Sequence, residues 1–453
     1  QEGSPLQLGS VAVERIEVEQ RRARLAWRHL LAPGGKAADP VEAARGMVAL
    51  HSTDPASVFL ATHARTDPPA PVAAIEQALY EHRTLLRMHG MRRTMFVVET
   101  GFAPVVQAAC TDAVAERSWR RYAKLLAEHG AGDPAASGRS ASGAQRVGAV
   151  KRSQRRRGSH GQAAGPGVAD WLAGVADATA TAIAARGEAT GAQLSAEVPG
   201  LRTQLHMNQG KKYESRQNIT SWVLFLLAAE GRIVRGRPRG SWASSQYTWA
   251  PTERWLPGGM PAALVEPARV ELVRRWLATF GPGTVADLKW WTGLTLGQVR
   301  QALAVVDPVE VDLEGGGTGL LLPDDLAPVP PPDPWVALLP ALDSTPMGWT
   351  GRAWFLGEHG PALFDRNGNI GPSVWCDGRI VGGWAQLAGG QIGYRLLEDV
   401  GRQAAAAIEA AAAALTGWVD QVRITPRFRT PLERELAGAA APGAGPPGAA
   451  AAR

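Results

Sequence analysis

Two cysteines in 453 residues, Cys110 and Cys376, stand too far apart to suggest a disulfide framework or a cysteine-ligated zinc site, and their scarcity fits a reducing cytoplasm. No apolar run reaches the about 18 residues of a helical membrane span. No basic segment followed by an apolar one is present near residue 1, so neither membrane insertion nor secretion is expected. Acidic residues are missing from Pro134 to Val168, where Arg139, Arg146, Lys151, Arg152, Arg155, Arg156 and Arg157 stand in a Gly/Ser/Ala-rich background. Taking these seven from the formal net charge of +6 leaves −1, so the basic balance comes from one segment. It reads equally as a phosphate-tracking arm and as a solvated linker, and any other basic surface must be local.

With 45% hydrophobic and 20% charged residues, the chain has room for three or four domains. Helical patterning is expected at 14–31, from Asp39-Pro40 through Met47, Val48 and Leu50, from Asp54-Pro55, and at 71–82. Extended runs at 84–88 and 93–98 read as a hairpin turning at Gly90. Helices followed by a hairpin are the order of a winged helix.

After a long helix at 168–186, Gly187-Glu188-Ala189-Thr190-Gly191-Ala192-Gln193-Leu194 has a second copy in Gly281-Pro282-Gly283-Thr284-Val285-Ala286-Asp287-Leu288. In both, threonine is placed to cap the second helix of a three-helix unit. The first copy leads to a helix at 215–230 and a hairpin at 232–249, the second to a helix at 296–303 and a hairpin at 309–322. Past Trp335 the pattern turns to β, with hairpins around Arg366-Asn367-Gly368 and Asp377-Gly378, a strand at 392–396, an alanine-rich helix at 399–418, a returning strand at 422–425 and a capping-box helix from Thr430. The expected fold is therefore α+β, with three tandem winged-helix units plus a C-terminal β-rich domain. The boundaries are 11–131 for the first winged helix, 132–167 for a basic flexible insert, 168–256 for the second with its Arg-rich wing, 264–326 for the third, 333–436 for the β-rich domain and 437–453 for a disordered tail.

Two stretches carry functional signals. In the middle wing Arg235, Arg237 and Arg239 alternate, so on a strand they share a face, and the tip Pro238-Arg239-Gly240-Ser241-Trp242 sets a cation beside an aromatic. Such a ribbon suits a minor groove, with Trp242 as a wedge; the plain alternative is an exposed arginine strand with one packed tryptophan. The second stretch is the polar break Leu50-His51-Ser52-Thr53-Asp54-Pro55. Its bland reading is a helix start, with Asp54 capping and Pro55 at the first helical position; its sharper reading is a set of side chains able to act on a bond.

The break, Leu60-Ala61-Thr62-His63-Ala64-Arg65 after it, Arg87-Met88-His89-Gly90-Met91-Arg92-Arg93-Thr94-Met95, Gly382-Gly383-Trp384-Ala385-Gln386 and Arg423-Ile424-Thr425-Pro426-Arg427-Phe428 together resemble the winged-helix DNA glycosylase family of the YcaQ/AlkZ type, in an actinobacterial variant. The family's catalytic signature is glutamine, an apolar residue, then glutamine or aspartate; His51, Ser52 and Thr53 hold those positions here. The resemblance implies a monofunctional DNA N-glycosylase, a hydrolase of base excision repair or antibiotic self-resistance. Its substrate would be double-stranded DNA carrying alkylated purines, including bulky N7-guanine adducts and crosslinks. It would be a cytoplasmic monomer with no metal, organic cofactor or membrane. His51, Thr53 and Asp54 are the expected catalytic residues, with activity falling once His51 is protonated. Arg92, Arg93, Arg235, Arg237, Arg239 and Trp242 are the DNA-binding candidates. The reading of another class is a non-catalytic winged-helix DNA-binding protein or regulator.

Overall fold

The computed structural model describes residues 15–129, 166–207, 210–211 and 214–438. The basic segment expected at 132–167 lies outside these save for Pro166 and Gly167, and the tail at 437–453 lies outside them save for its first two residues. The chain divides into two compact units, one of residues 1–110, 237–246 and 262–453, the other of residues 111–236 and 247–261.

In the first unit the two extended runs pair as expected, Leu85–His89 antiparallel to Met95–Glu99. A third strand, Leu50–His51, joins the other edge of Met95–Glu99. The helix expected to continue through Leu50 ends early, as Pro40–Gly46. Val48 breaks it with a left-handed φ of 62°, and the next residues gain a strand partner instead, Leu50 opposite Val97 and His51 opposite Phe96. Leu50, Val48 and Val97 are all buried, so tertiary packing overrides the helical periodicity.

Further along, Val265–Phe280, Val285–Thr292 and Leu296–Val306 are helices, followed by the hairpin Val309–Leu313 and Thr318–Leu321. Strand Arg15–Ile16 adds to that hairpin in parallel, where the pattern suggested the start of a helix; the first helix is Val18–Arg28. The C-terminal part holds a four-stranded antiparallel sheet in sequence order, Val336–Leu339, Ser373–Cys376, Arg379–Gln386 and Ile392–Leu396. Its Asp377-Gly378 turn has φ of 46° and 80°, the left-handed pair that a two-residue hairpin loop demands. A Cβ on Gly382 would lie 2.2 Å from the Arg395 carbonyl oxygen, so only glycine lets the strands close there. The hairpin expected at 362–370 reduces to one bridge, Phe364 to Ile370, and residues 422–425 form no strand.

In the second unit Pro166–Arg186 is a long helix, and Thr190 caps Gly191–Glu197 through a reciprocal box with Gln193. Thr284 does the same for Val285–Thr292 with Asp287, so both expected threonine caps are present, each worth about 1 kcal/mol. The helix expected from residue 215 begins at Thr220. Ser215–Asn218, exposed throughout and without an apolar stripe, pairs with Gln204–Met207 instead.

Candidate active site

The break between strand Leu50–His51 and helix Pro55–Arg65 is fixed from three directions. Ser52 donates its backbone N–H to the Met95 carbonyl at 2.8 Å. Below it, the Ser344 hydroxyl accepts from the His51 N–H at 3.2 Å and donates to the Ala49 carbonyl at 2.9 Å. On the helix side Asp54 caps the Ala56 N–H at 3.0 Å with one carboxylate oxygen and accepts from the Arg427 N–H at 2.9 Å with the other. Asp54 is 4% exposed, and burial pushes its pKa up against those two amide bonds. Both of its oxygens are engaged in holding the loop, the capping role that the sequence offered beside the catalytic one.

The His51 ring meets the Phe96 ring edge-on, with centroids 5.2 Å apart, and is 6% exposed. Its Nδ1 accepts a long hydrogen bond, 3.4 Å, from the Thr53 N–H. No described group bonds to Nε2. Burial, with the charge of Arg92 second, lowers the pKa to about 3, so the imidazole is neutral at any working pH. Beside it the Ser52 and Thr53 hydroxyl oxygens are enclosed without a partner. An enclosed unpaired hydroxyl costs about 1–3 kcal/mol, so two adjacent ones mark a place where packing has yielded to something else.

Under this loop lies a second buried layer. Arg65 and Asp343, both fully buried, form a two-bonded ion pair at 2.6 and 2.9 Å. Arg65 also donates to the Thr345 hydroxyl, which in turn meets His29 Nδ1 at 2.8 Å. Residues 343–345 thus reach from the C-terminal part to the start of the chain, with Ser344 between them supporting His51.

The depressed histidines set a pH dependence of stability. In the unfolded chain His51 titrates near 6.5, in the folded chain near 3, so between these values the unfolded state binds the extra proton. Stability present above pH 6.5 is therefore lost as the pH falls, by up to about 1.4 kcal/mol per pH unit for this one group. His29, buried and also depressed, acts in the same direction. We expect urea unfolding of His51→Gln to show a shallower loss than wild type between pH 6.5 and 4; identical slopes would contradict the depressed pKa.

The sequence motifs meet at this loop. The Gln386 carboxamide accepts from the Ile424 N–H and donates to the Gly390 and Val422 carbonyls, fixing the segment whose Arg427 N–H reaches Asp54. A model of AlkZ-like DNA glycosylases matches residues 44–418. The chain belongs to the AlkZ-like DNA glycosylase family. Its fold is similar to that of the DNA glycosylase AlkZ of Streptomyces sahachiroi, with a TM-score of 0.60 at 17% identity over 91% of this chain and 99% of that one. Among curated proteins no sequence matches it.

The remaining expected site residues of this AlkZ-like chain divide. Arg92 lies near enough to His51 for its charge to act on the imidazole, and Arg93, next to it, is exposed. Arg235 and Arg237 do share a strand face, in Ile233–Pro238. Arg235 stacks over Tyr247 and Trp249, while Arg237 pairs with Glu76 at 2.8 Å and Glu81 at 3.1 Å. Arg239 is exposed. Trp242 is 7% exposed, its ring 5.0 Å from Phe59 and 5.6 Å from Trp418, so it is packed, as the plain alternative had it. Burying an indole gains more here than displaying it, and Arg237 spends its charge on two carboxylates. Among the described residues no cluster of three or more His, Cys, Asp or Glu could hold a metal, and no helix is long and apolar enough to cross a membrane. The Ser344 support and the Arg65–Asp343 pair were missed from sequence; the only local signal is a short polar run, Asp343-Ser344-Thr345, after an apolar strand.

Proposed function

We propose that this AlkZ-like chain is a monofunctional glycosylase that hydrolyses the N-glycosidic bond of alkylated purines in duplex DNA, with His51 and Thr53 at the reaction centre. The observation that carries the reading is a neutral imidazole beside enclosed, unpartnered hydroxyls at the family's catalytic positions.

A purine alkylated at N7 or N3 is already cationic. The C1′–N9 bond breaks with its electron pair going to the base, which leaves neutral; water adds at C1′ and its proton passes to solvent. Little acid help is needed, so the protein's share is to bear oxocarbenium charge on the sugar and to place the water. A neutral His51 does not repel that charge, as an imidazolium would. Its Nδ1 lone pair is taken by the Thr53 N–H, which leaves the ring proton on Nε2, facing the water oxygen. The 3.4 Å bond is weak enough to give up, and the other tautomer offers an Nε2 lone pair instead. With a pKa of about 3 the ring is a feeble base, so its work is orientation and electrostatics rather than proton abstraction. The Thr53 hydroxyl accepts a hydrogen from the same water.

This chemistry favours cationic adducts, bulky N7-guanine lesions among them, and suits repair or self-resistance to a genotoxin. Tandem winged-helix units, with Arg93 and Arg239 exposed, would hold the duplex. The test is a panel of duplex oligonucleotides, each timed against an enzyme-free control because these bases also leave unaided. Cationic N7- and N3-alkylpurines should be released at rates independent of pH from about 5 to 8 as far as His51 is concerned, and neutral O6-alkylguanine should not. Release of the neutral adduct at a similar rate would sink the specificity. Binding of every duplex with no release would leave a DNA-binding protein.

A further inference from the structure

Two guanidinium groups share one indole, and one of them, Arg92, is near enough to His51 for its charge to act on the imidazole. The guanidinium carbon of Arg92 lies 4.0 Å from the Trp290 ring centroid and that of Arg352 5.1 Å. Neither has a carboxylate partner among the described residues. Arg92 makes no side-chain hydrogen bond there and its Nε is enclosed and unpaired; Arg352 donates to the Trp349 carbonyl and weakly to the Met347 sulfur. The one acid acting on Arg352 is Asp287, whose oxygens are already taken by the N–H and hydroxyl of both Thr284 and Thr350.

The backbone is specialised to hold this arrangement. Arg92 sits in a turn with φ 53°, and Gly293, itself at φ 74°, packs so closely that a Cβ there would lie 3.2 Å from the Arg92 nitrogen. Two half-buried like charges on one ring, each lowered by burial and Arg92 further by Arg352, are a cost that an anion would reverse. Guanidinium forks match the two free oxygens of a phosphodiester, and aromatic rings hold both groups in place, Trp290 for Arg92 and Trp290 with Phe364, 5.0 Å away, for Arg352.

We propose that Arg92 and Arg352, stacked on Trp290, clamp a single phosphodiester of the DNA strand next to the nucleotide that faces His51. Arg92 thereby couples phosphate binding to the imidazole: neutralising its charge leaves His51 in a less positive field. The clamp rests on the reading of His51 as the excision centre, but its test does not require excision.

Binding of an abasic-site duplex is measured against salt for wild type, Arg352→Gln, Arg92→Gln, the double glutamine variant and Arg352→Lys. Replacing both arginines by glutamine should lower the slope of log K against log salt by about 0.9, the share of one phosphate contact, and each single glutamine variant should lower it by part of that, while the lysine variant keeps the slope and loses affinity. A second arm replaces single phosphates near the abasic nucleotide by neutral methylphosphonate. Wild type should lose affinity at one position, and Arg352→Gln should be indifferent there. Thermal unfolding of each variant separates loss of fold from loss of contact, and Arg352→Lys carries the test if a glutamine variant does not fold. Unchanged slopes with an equal methylphosphonate penalty in wild type and variant would overturn the clamp. Lowered slopes in a protein that releases no base would overturn the glycosylase reading and leave the clamp standing.

Discussion

Replacing His51 by alanine should lower the single-turnover rate of base release from an N7-alkylguanine duplex by about 100-fold or more, the usual share of one preorganised polar group at a reaction centre. The size follows from the geometry. The residue is held by strand pairing to Phe96, by Ser344 under its backbone and by the Thr53 N–H on Nδ1, which leaves Nε2 as the ring atom without a partner among the described residues. Alanine removes that atom and the weak Nδ1 acceptor of the Thr53 N–H, but leaves the Ser52 N–H on Met95 and the Ser344 support intact, so duplex binding should change little. His51→Gln restores a carboxamide of the kind the family uses and should recover much of the rate. Thr53→Val is the informative companion. It removes an enclosed, unpaired hydroxyl at nearly constant volume, so stability should hold or rise while release slows. A His51→Ala rate within threefold of wild type would remove this residue from the site.

Breaking the ion pair beneath the loop should be the most destabilising single change. Arg65 and Asp343 are both fully buried, so Asp343→Ala leaves a guanidinium enclosed without its charge partner, a loss of about 3–5 kcal/mol. Against a total stability of about 5–15 kcal/mol for a typical protein, that is a large share. The cost is the stranded charge rather than the value of the pair, so Arg65→Met with Asp343→Leu should be far less damaging than either single change. Because Ser344 follows Asp343 directly and holds both Ala49 and His51, Asp343→Ala should also slow base release in whatever fraction stays folded. Urea midpoints of the two singles and the double decide it. A cost below about 1 kcal/mol for Asp343→Ala would mean that water reaches the pair.

What was legible in the sequence was local. Thr190 and Thr284 announce their caps because the bond partner lies three residues on, and Asp377-Gly378 announces its turn because only such residues accept the dihedrals. The polar break at 51–54 stood out for the same reason, as did the capping role of Asp54. What failed depended on partners far along the chain. The helix expected through Leu50 lost to a strand partner 47 residues away, Val97, once Val48 turned left-handed. Trp242 beside arginines left a groove wedge and a packed ring both open, and only the fold supplies Phe59 and Trp418 to bury it. Ser344 stands 293 residues from His51, and no pattern on one side names the other. Trp290 and Arg352 escaped for the same reason, while Arg92 was noticed through its motif alone.

The central claim is that a neutral imidazole with a neighbouring hydroxyl carries out excision where the family uses carboxamides. It is tested most directly by quantifying free alkylguanine and abasic sites together, after mixing excess protein with an N7-alkylguanine duplex near pH 7. Wild type should give the two products in equal amounts, well above the enzyme-free background, and His51→Ala should stay close to that background while still binding the duplex. Wild type at background, or His51→Ala and Thr53→Val both releasing base as fast as wild type, would contradict it.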